Sequence, residues 1–136
     1  MEEETNFQVI LLGIVFNPKT KKILIGRREN DPQIKQLTWC FPGGRACQDK
    51  ELEECLKQKI KEKTGYQIEN LGCIFSKTYP EKKDLLSIYY LCEVTGGEEK
   101  SGDDFVELKW VSPEELEKHF TTSFHPKLKE YIINLK

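Results

Sequence analysis

The sequence predicts an α/β protein, with a mixed β-sheet packed between helices. Two observations lead there. Apolar runs of strand length and stretches of helical period follow one another in the order strands, helix, strands, helix, helix. The first run, FQVILLGIVF, is apolar almost throughout, as a strand covered on both faces would be.

Taken in order, Phe7 to Phe16 is the first strand and NPKTKK the turn after it, opened by Asn17-Pro18. KILIGRR, Lys22 to Arg28, returns as the second strand of a hairpin. ENDPQIKQ is a polar loop, and Leu37 to Phe41 is a short strand that runs into a turn at Pro42-Gly43-Gly44. Asp49 to Lys63 is helical, with Leu52, Cys55, Leu56 and Ile60 on one stripe, Asp49 as N-cap and Gly65 as the stop. Strands are predicted over Asn70 to Thr78 and Leu85 to Thr95, joined through the turn TYPEKKD. GGEEKSGDD is a loop, and FVELKWV, Phe105 to Val111, alternates like a half-buried strand. Ser112-Pro113-Glu114-Glu115 predicts a helix start with Ser112 as cap, Pro113 in the first turn and Glu115 closing a capping box. The last helix runs from Lys127 to Leu135 behind His125-Pro126, with Leu128, Tyr131, Ile132 and Leu135 on one face.

Composition narrows the function classes. The 136 residues suit one domain, residues 1–136, whose first five residues form a flexible acidic tail. Hydrophobic content of 38% against 32% charged residues predicts a polar-surfaced globular protein, and no apolar run is long enough to span a membrane. With 21 basic and 23 acidic residues the net charge is -2, which gives no global reason to bind nucleic acid. The start MEEETN is unlike a secretory or transit signal. Five cysteines, an odd number without CxxC spacing, then predict reduced thiols in a cytoplasmic protein and disfavour a zinc site. Cys40, Cys73 and Cys92 lie in apolar runs and are expected as small core residues, and His119 and His125 as surface residues.

From Gly44 to Tyr66 the chain resembles the Nudix hydrolase family, whose box reads Gx5Ex7REUxEExGU with U a bulky apolar residue. Laid on without a gap, the box matches at Gly44, Ile60, Glu62, Gly65 and Tyr66. Pro42-Gly43-Gly44, the doublet Arg27-Arg28, Trp39 shortly before the glycines, and ELKWVSPEEL at Glu107 to Leu116 extend the resemblance over nearly the whole chain. It implies the family's α/β/α sandwich, with the box helix against the sheet. It also implies divalent metal, usually magnesium, held by the box glutamates and used to cleave a diphosphate with water.

The departures are as specific as the matches. The first glutamate position holds Lys50, the arginine position Gln58, and two further glutamate positions hold Lys59 and Lys63. At about 100° per residue, Lys59 and Lys63 fall on the apolar stripe, so they either snorkel past the core or face a ligand. Glu51 and Glu54 lie ~16 and ~12 Å along the helix from Glu62, too far to share an ion with it, and with Glu53 are read as solvated. Glu62 and Glu107 remain as weak metal candidates, with Asp103 or Asp104 from the loop as possible additions, and Glu62 as the catalytic residue if the chain is active. One like-charge pair at 4 Å costs ~4 kcal/mol at an effective dielectric of ~20, so a dication beside two lysines is disfavoured.

The same cations suit an anion. Lys59, Lys63 and Arg45, with the amides of Gly43 and Gly44, are candidate phosphate ligands; Arg28 is a weaker one, and Trp39 or Tyr79 is a candidate for stacking on a base. Two functions stay open. One is a binding protein for a nucleotide-like diphosphate or other phosphate small molecule, with no cofactor. The other is a pyrophosphohydrolase acting on a nucleoside diphosphate linked to X, with Mg2+ or Mn2+ at a rebuilt site. No membrane partner is expected, nothing supports a nucleic-acid or protein partner, and monomer and homodimer are both open.

Overall fold

The structure is a computed structural model that describes residues 6–28, 38–103, 105–120 and 125–135. The acidic tail, the whole ENDPQIKQ loop, Leu37 and Asp104 lie outside the described residues. Strands β1 (Gln8–Asn17), β2 (Lys22–Arg27), β3 (Trp39–Cys40) and β4 (Gly43–Arg45) precede helix α1 (Leu52–Thr64). Strands β5 (Tyr66–Tyr79), β6 (Lys82–Gly97) and β7 (Glu107–Val111) follow, then helices α2 (Pro113–His119) and α3 (Pro126–Ile133). The order across the sheet is β3-β2-β1-β6-β5, with β4 also on β1 and β7 also on β2. β1 and β6 run parallel and the other pairs antiparallel, so the sheet is mixed as predicted.

The period of two along β1 divides the core. Leu11 and Val15 pack with Leu24, Cys55, Leu56, Ile60 and Ile68, on the α1 face. Leu12, Ile14 and Phe16 pack with Ile23, Ile25, Phe41 and the buried residues of α2 and α3, Leu116, Leu128 and Ile132. Helices therefore cover both faces, which is why β1 reads as one apolar run.

Several local expectations are corrected. Helix α1 starts after Glu51, which makes no side-chain cap hydrogen bond, so Asp49 is not the cap. Leu52 is 41% exposed; the buried stripe is Cys55, Leu56, Ile60, Lys63 and Thr64. Gly65 does end the helix, at φ 81°, a left-handed conformation that glycine adopts without a Cβ penalty. Strands β5 and β6 are longer than their apolar runs suggested, because β6 continues through Gly96-Gly97 and only Pro80-Glu81 separate β5 from β6. Ser112 precedes α2 without a side-chain cap bond, so no capping box forms, although Pro113 does open the helix. On α3 the cap is His125, whose Nδ1 accepts from the Lys127 amide at 3.1 Å. Neither histidine is a bare surface group: His119 meets the Trp39 ring edge-on at 5.6 Å, and His125 lies 4.8 Å from Phe75.

The cysteines depart furthest from expectation. Cys47 and Cys55 form a disulfide, where reduced thiols were predicted throughout. Their spacing of eight residues carries no motif; the short loop before α1 folds Cys47 back onto the first turn. Cys40 and Cys92 are buried as expected, but Cys73 is exposed because its position on β5 points away from the core.

Candidate anion site on the glycine turn and helix α1

The sequence predicts a turn at Pro42-Gly43-Gly44, but Gly43–Arg45 forms strand β4. It pairs with β1 in the register Ile10↔Arg45, Leu11↔Gly44 and Leu12↔Gly43. Hydrogen bonds from the Gly13 amide to the Pro42 carbonyl (2.8 Å) and from the Ala46 amide to the Val9 carbonyl (2.9 Å) pin it at both ends. Gly43, at φ 154°, passes so close to Leu11 that any Cβ would overlap the Leu11 carbonyl. This pinning fixes the turn relative to α1. Because the segment is engaged as a strand, the side chains beside it have more scope to meet a ligand than its amides do.

Lys59 lies directly on this turn. Its methylene chain passes over Gly44, where a Cβ would stand 3.1 Å from Lys59 Cδ. Lys59 is half-buried and Arg45, next to Gly44, is exposed. Gly43, Gly44 and Lys59 thus come together, whereas Arg45, paired with Ile10, lies on the opposite face of β4 from Lys59. The other predicted residues do not join them so directly. Lys63 is only 8% exposed, and its Nζ sits 5.5 Å from the centre of the Phe105 ring. Arg28 and Trp39 are at the β2–β3 corner, where the Arg28 amide donates to the Thr38 carbonyl at 2.7 Å and Trp39 packs with the α2/α3 core. Tyr79 is 7% exposed, and its hydroxyl is engaged by Ser87 (3.2 Å) and Tyr89 (3.3 Å), so it is not available to stack on a base.

The loop after β6 seals the C-terminal end of α1. Its Lys100 and Gly102 amides donate to the Thr64 and Lys63 carbonyls at 2.9 and 3.0 Å. Glu99 accepts from Tyr66 Oη (3.1 Å) and Trp110 Nε1 (2.9 Å); burial, then the Glu99 charge, pushes the Tyr66 phenol upward. Sequence reasoning missed the role of Phe105 as the seat of Lys63, because the two are distant in sequence.

A magnesium-type centre does not fit the side chains present. Gln58 Nε2 donates to Glu62 Oε1 at 2.9 Å, and Lys50 Nζ donates to Gln58 Oε1, so Glu62 ends a chain of polar groups. The Gln58–Glu62 spacing is a helical i,i+4 pair visible in the sequence. Glu107 is held by Arg27 Nε at 3.0 Å across the β2–β7 register. Among the described residues no group of three or more His, Cys, Asp or Glu could hold a metal ion. A groove of about 460 Å³ lies along α1, lined by Lys57, Gln58, Lys61, Glu62, Gln67 and Ile68. Its lining omits Arg45, Lys59 and Lys63.

With this geometry in hand, likeness to known proteins is informative. The NUDIX domain family profile matches residues 6–132. The chain belongs to the Nudix family. It is 32% identical over 105 residues to an ADP-ribose pyrophosphatase of Methanocaldococcus jannaschii, covering 74% of this chain and 60% of that relative. It therefore spans less than two thirds of that protein's length. Over 105 residues it is 31% identical to the nucleoside triphosphatase NudI of Escherichia coli, covering 68% of this chain and 74% of NudI. The structure superposes on a Nudix hydrolase of Nitrosomonas europaea with a TM-score of 0.76 at 17% identity, over 96% of this chain and 72% of that one. The Nudix fold, with its mixed sheet and three helices among the described residues, is thereby established. No helix among the described residues is long and apolar enough to cross a membrane.

Proposed function

We propose that this Nudix protein binds the diphosphate of a nucleotide-like ligand through Lys59 at the glycine turn, without the metal-dependent hydrolysis of its family. The observation that carries this reading is the contact of Lys59 with Gly44. It puts an ammonium at a box position where the family resemblance calls for a carboxylate. The engaged states of Glu62 and Glu107 point the same way. Lys63 contributes positive potential from its seat by Phe105, and no cofactor is required.

The second reading, hydrolysis of a nucleoside diphosphate linked to X, is favoured by the names of the relatives, an ADP-ribose pyrophosphatase and a nucleoside triphosphatase, and by the retained Glu62. In that reading Glu62 and Glu107 would have to leave their present partners and be joined by a loop acid to hold the ion.

Calorimetric titration with pyrophosphate and with ADP-ribose, in EDTA and in magnesium, tests the choice. Binding in EDTA is expected, weakened about tenfold or more by Lys59→Glu, since charge-assisted hydrogen bonds contribute ~1.5–3 kcal/mol. Magnesium-dependent product release that Glu62→Gln abolishes would overturn the binding reading in favour of hydrolysis.

A further inference from the structure

The segment between the glycine turn and α1 carries a device that the anion site does not use. Cys47 lies two residues beyond Arg45, and Cys55 in the first turns of α1; their disulfide, with Cα atoms 5.8 Å apart, ties the turn to the helix that carries Lys59. The two sulfurs differ in access: Cys55 is 0% exposed within the α1-face core, whereas Cys47 is half-buried. Cys55 Sγ also lies 3.5 Å from the Arg45 carbonyl. A thiol there would donate to that oxygen, so the reduced state has a partner waiting for its new S–H. The backbone anchors are at the edges of the segment, at Ala46 on Val9 and Cys55 on Glu51.

We infer that the Cys47–Cys55 pair is a reversible redox clasp that sets the geometry of the glycine turn against Lys59, an inference that rests on the anion-site reading for its functional consequence. In the opening step, one thiolate of a dithiol reductant attacks the accessible Cys47 sulfur. The Cys47–Cys55 bond breaks, Cys55 leaves as thiolate and takes a proton, and a mixed disulfide forms on Cys47. The second thiol of the reductant then attacks its own sulfur in that mixed disulfide. This releases Cys47 as a thiol and closes the reductant to its cyclic disulfide, so two electrons and two protons pass to the protein. Opening the clasp frees the loop over Cys47 to Glu51, beyond the Ala46 anchor, and unties α1, with Lys59, from the pinned glycine turn. The oxidised form is the stronger anion binder.

The experiment uses the full chain, poised with reduced or oxidised dithiothreitol, alkylated and weighed to count thiols. Three alkylated cysteines, Cys40, Cys73 and Cys92, are expected in the oxidised form and all five in the reduced form. Pyrophosphate affinity in EDTA is expected to fall about fivefold or more on reduction, a coupling of ordinary size. Cys47→Ser should bind like the reduced form and ignore the redox poise. Amide exchange over Cys47 to Glu51 is expected to be faster in the reduced protein and in Cys47→Ser. A pair that cannot be both reduced and reoxidised overturns the clasp, as do equal affinities in both forms or a redox response that persists in Cys47→Ser. If neither form binds pyrophosphate, the anion-site reading fails by itself. Amide exchange then decides the clasp: faster exchange on reduction keeps it, and identical exchange rejects it.

Discussion

On β1, Leu11 and Val15 turn toward α1 while Leu12, Ile14 and Phe16 turn toward α2 and α3, and the two faces have been filled differently. The α2/α3 face is aromatic. Phe41 meets Tyr89 and Phe120 edge-on at 5.8 and 5.1 Å, and its buried polar groups, Tyr79, Ser87 and Tyr89, are joined by hydroxyl hydrogen bonds. The α1 face has smaller residues, a disulfide, and two lysines drawn onto the buried side of the helix. One face satisfies every demand of a core. The other accepts charge near apolar surface, which is costly unless a ligand or a partner meets it. The difference teaches that both sides of one strand can hold the fold together while only one of them carries buried charge, the side on which the proposed ligand chemistry falls.

The largest expected effects test that division directly. Leu128→Ala and Leu56→Ala each empty a fully buried site, at 1% and 0% exposure, and should each lower unfolding free energy by about 2–5 kcal/mol in urea titrations. Their ligand behaviour should diverge: Leu128→Ala keeps pyrophosphate affinity in the folded protein, while Leu56→Ala weakens it, because α1 carries Lys59. Equal loss of affinity in both variants would mean that the faces are not independent.

Alkaline pH separates the faces next. Burial, then the Glu53 charge, pushes the Cys92 thiol on the α1 side up from 9.0 to about 12. The unfolded chain then loses this proton near its ordinary value while the folded chain keeps it. The unfolded state binds fewer protons in that window, so stability falls as pH rises from about 9 toward about 12, by a few kcal/mol at most. Burial pushes the Tyr89 phenol upward on the opposite face, with the same sign. Cys92→Ala and Tyr89→Phe should each flatten the pH slope of the urea midpoint, measured between pH 8 and 11. An unchanged slope in either variant would assign the alkaline loss elsewhere.

Within the α1 face, the two lysines are expected to differ. Lys59→Met removes the ammonium at the glycine turn and should weaken pyrophosphate binding about tenfold. Lys63→Met keeps an unbranched chain beside Phe105 and should change affinity by less than about threefold, since the charge it removes is a turn further along the helix. The reverse ranking, by calorimetry, would move the anion contact toward Phe105.

How much of this was legible beforehand follows from the range of each interaction. The continuous apolar run of β1, the Gly65 stop and the Pro113 start are local signals, and all appear in the structure. The position of Lys59 followed from helical period, because seven residues past Leu52 return to nearly the same azimuth. Leu52 itself was misjudged because periodicity gives direction without saying where the sheet ends, and the first turn of α1 overhangs it. Asp49 is a good cap by residue type, but the disulfide loop delays the helix to Leu52. The Cys47–Cys55 bond, the Phe105 seat and the Arg27–Glu107 pair depend on chain returns that no local pattern encodes.

The smallest expected effect bears on the metal question. Arg27 and Glu107 face each other across β2 and β7 with side chains 37% and 50% exposed. A pair this open contributes less than about 1 kcal/mol, so Arg27→Gln should hardly move the urea midpoint. The substitution does release the Glu107 carboxylate. Ile23 and Ile25 share the parity of Arg27, and Val111 that of Glu107, so the pair lies on the α2/α3 side of β2 and β7. A metal site that used Glu107 would gain magnesium affinity and magnesium-dependent product release in Arg27→Gln. Neither gain is expected, because Lys59 and Lys63 would still oppose a dication and Glu62 would still accept from Gln58. Magnesium titration of Arg27→Gln, followed by a phosphate-release assay, therefore asks whether the Glu107 pairing keeps a divalent ion away, and a gain would favour the hydrolytic reading.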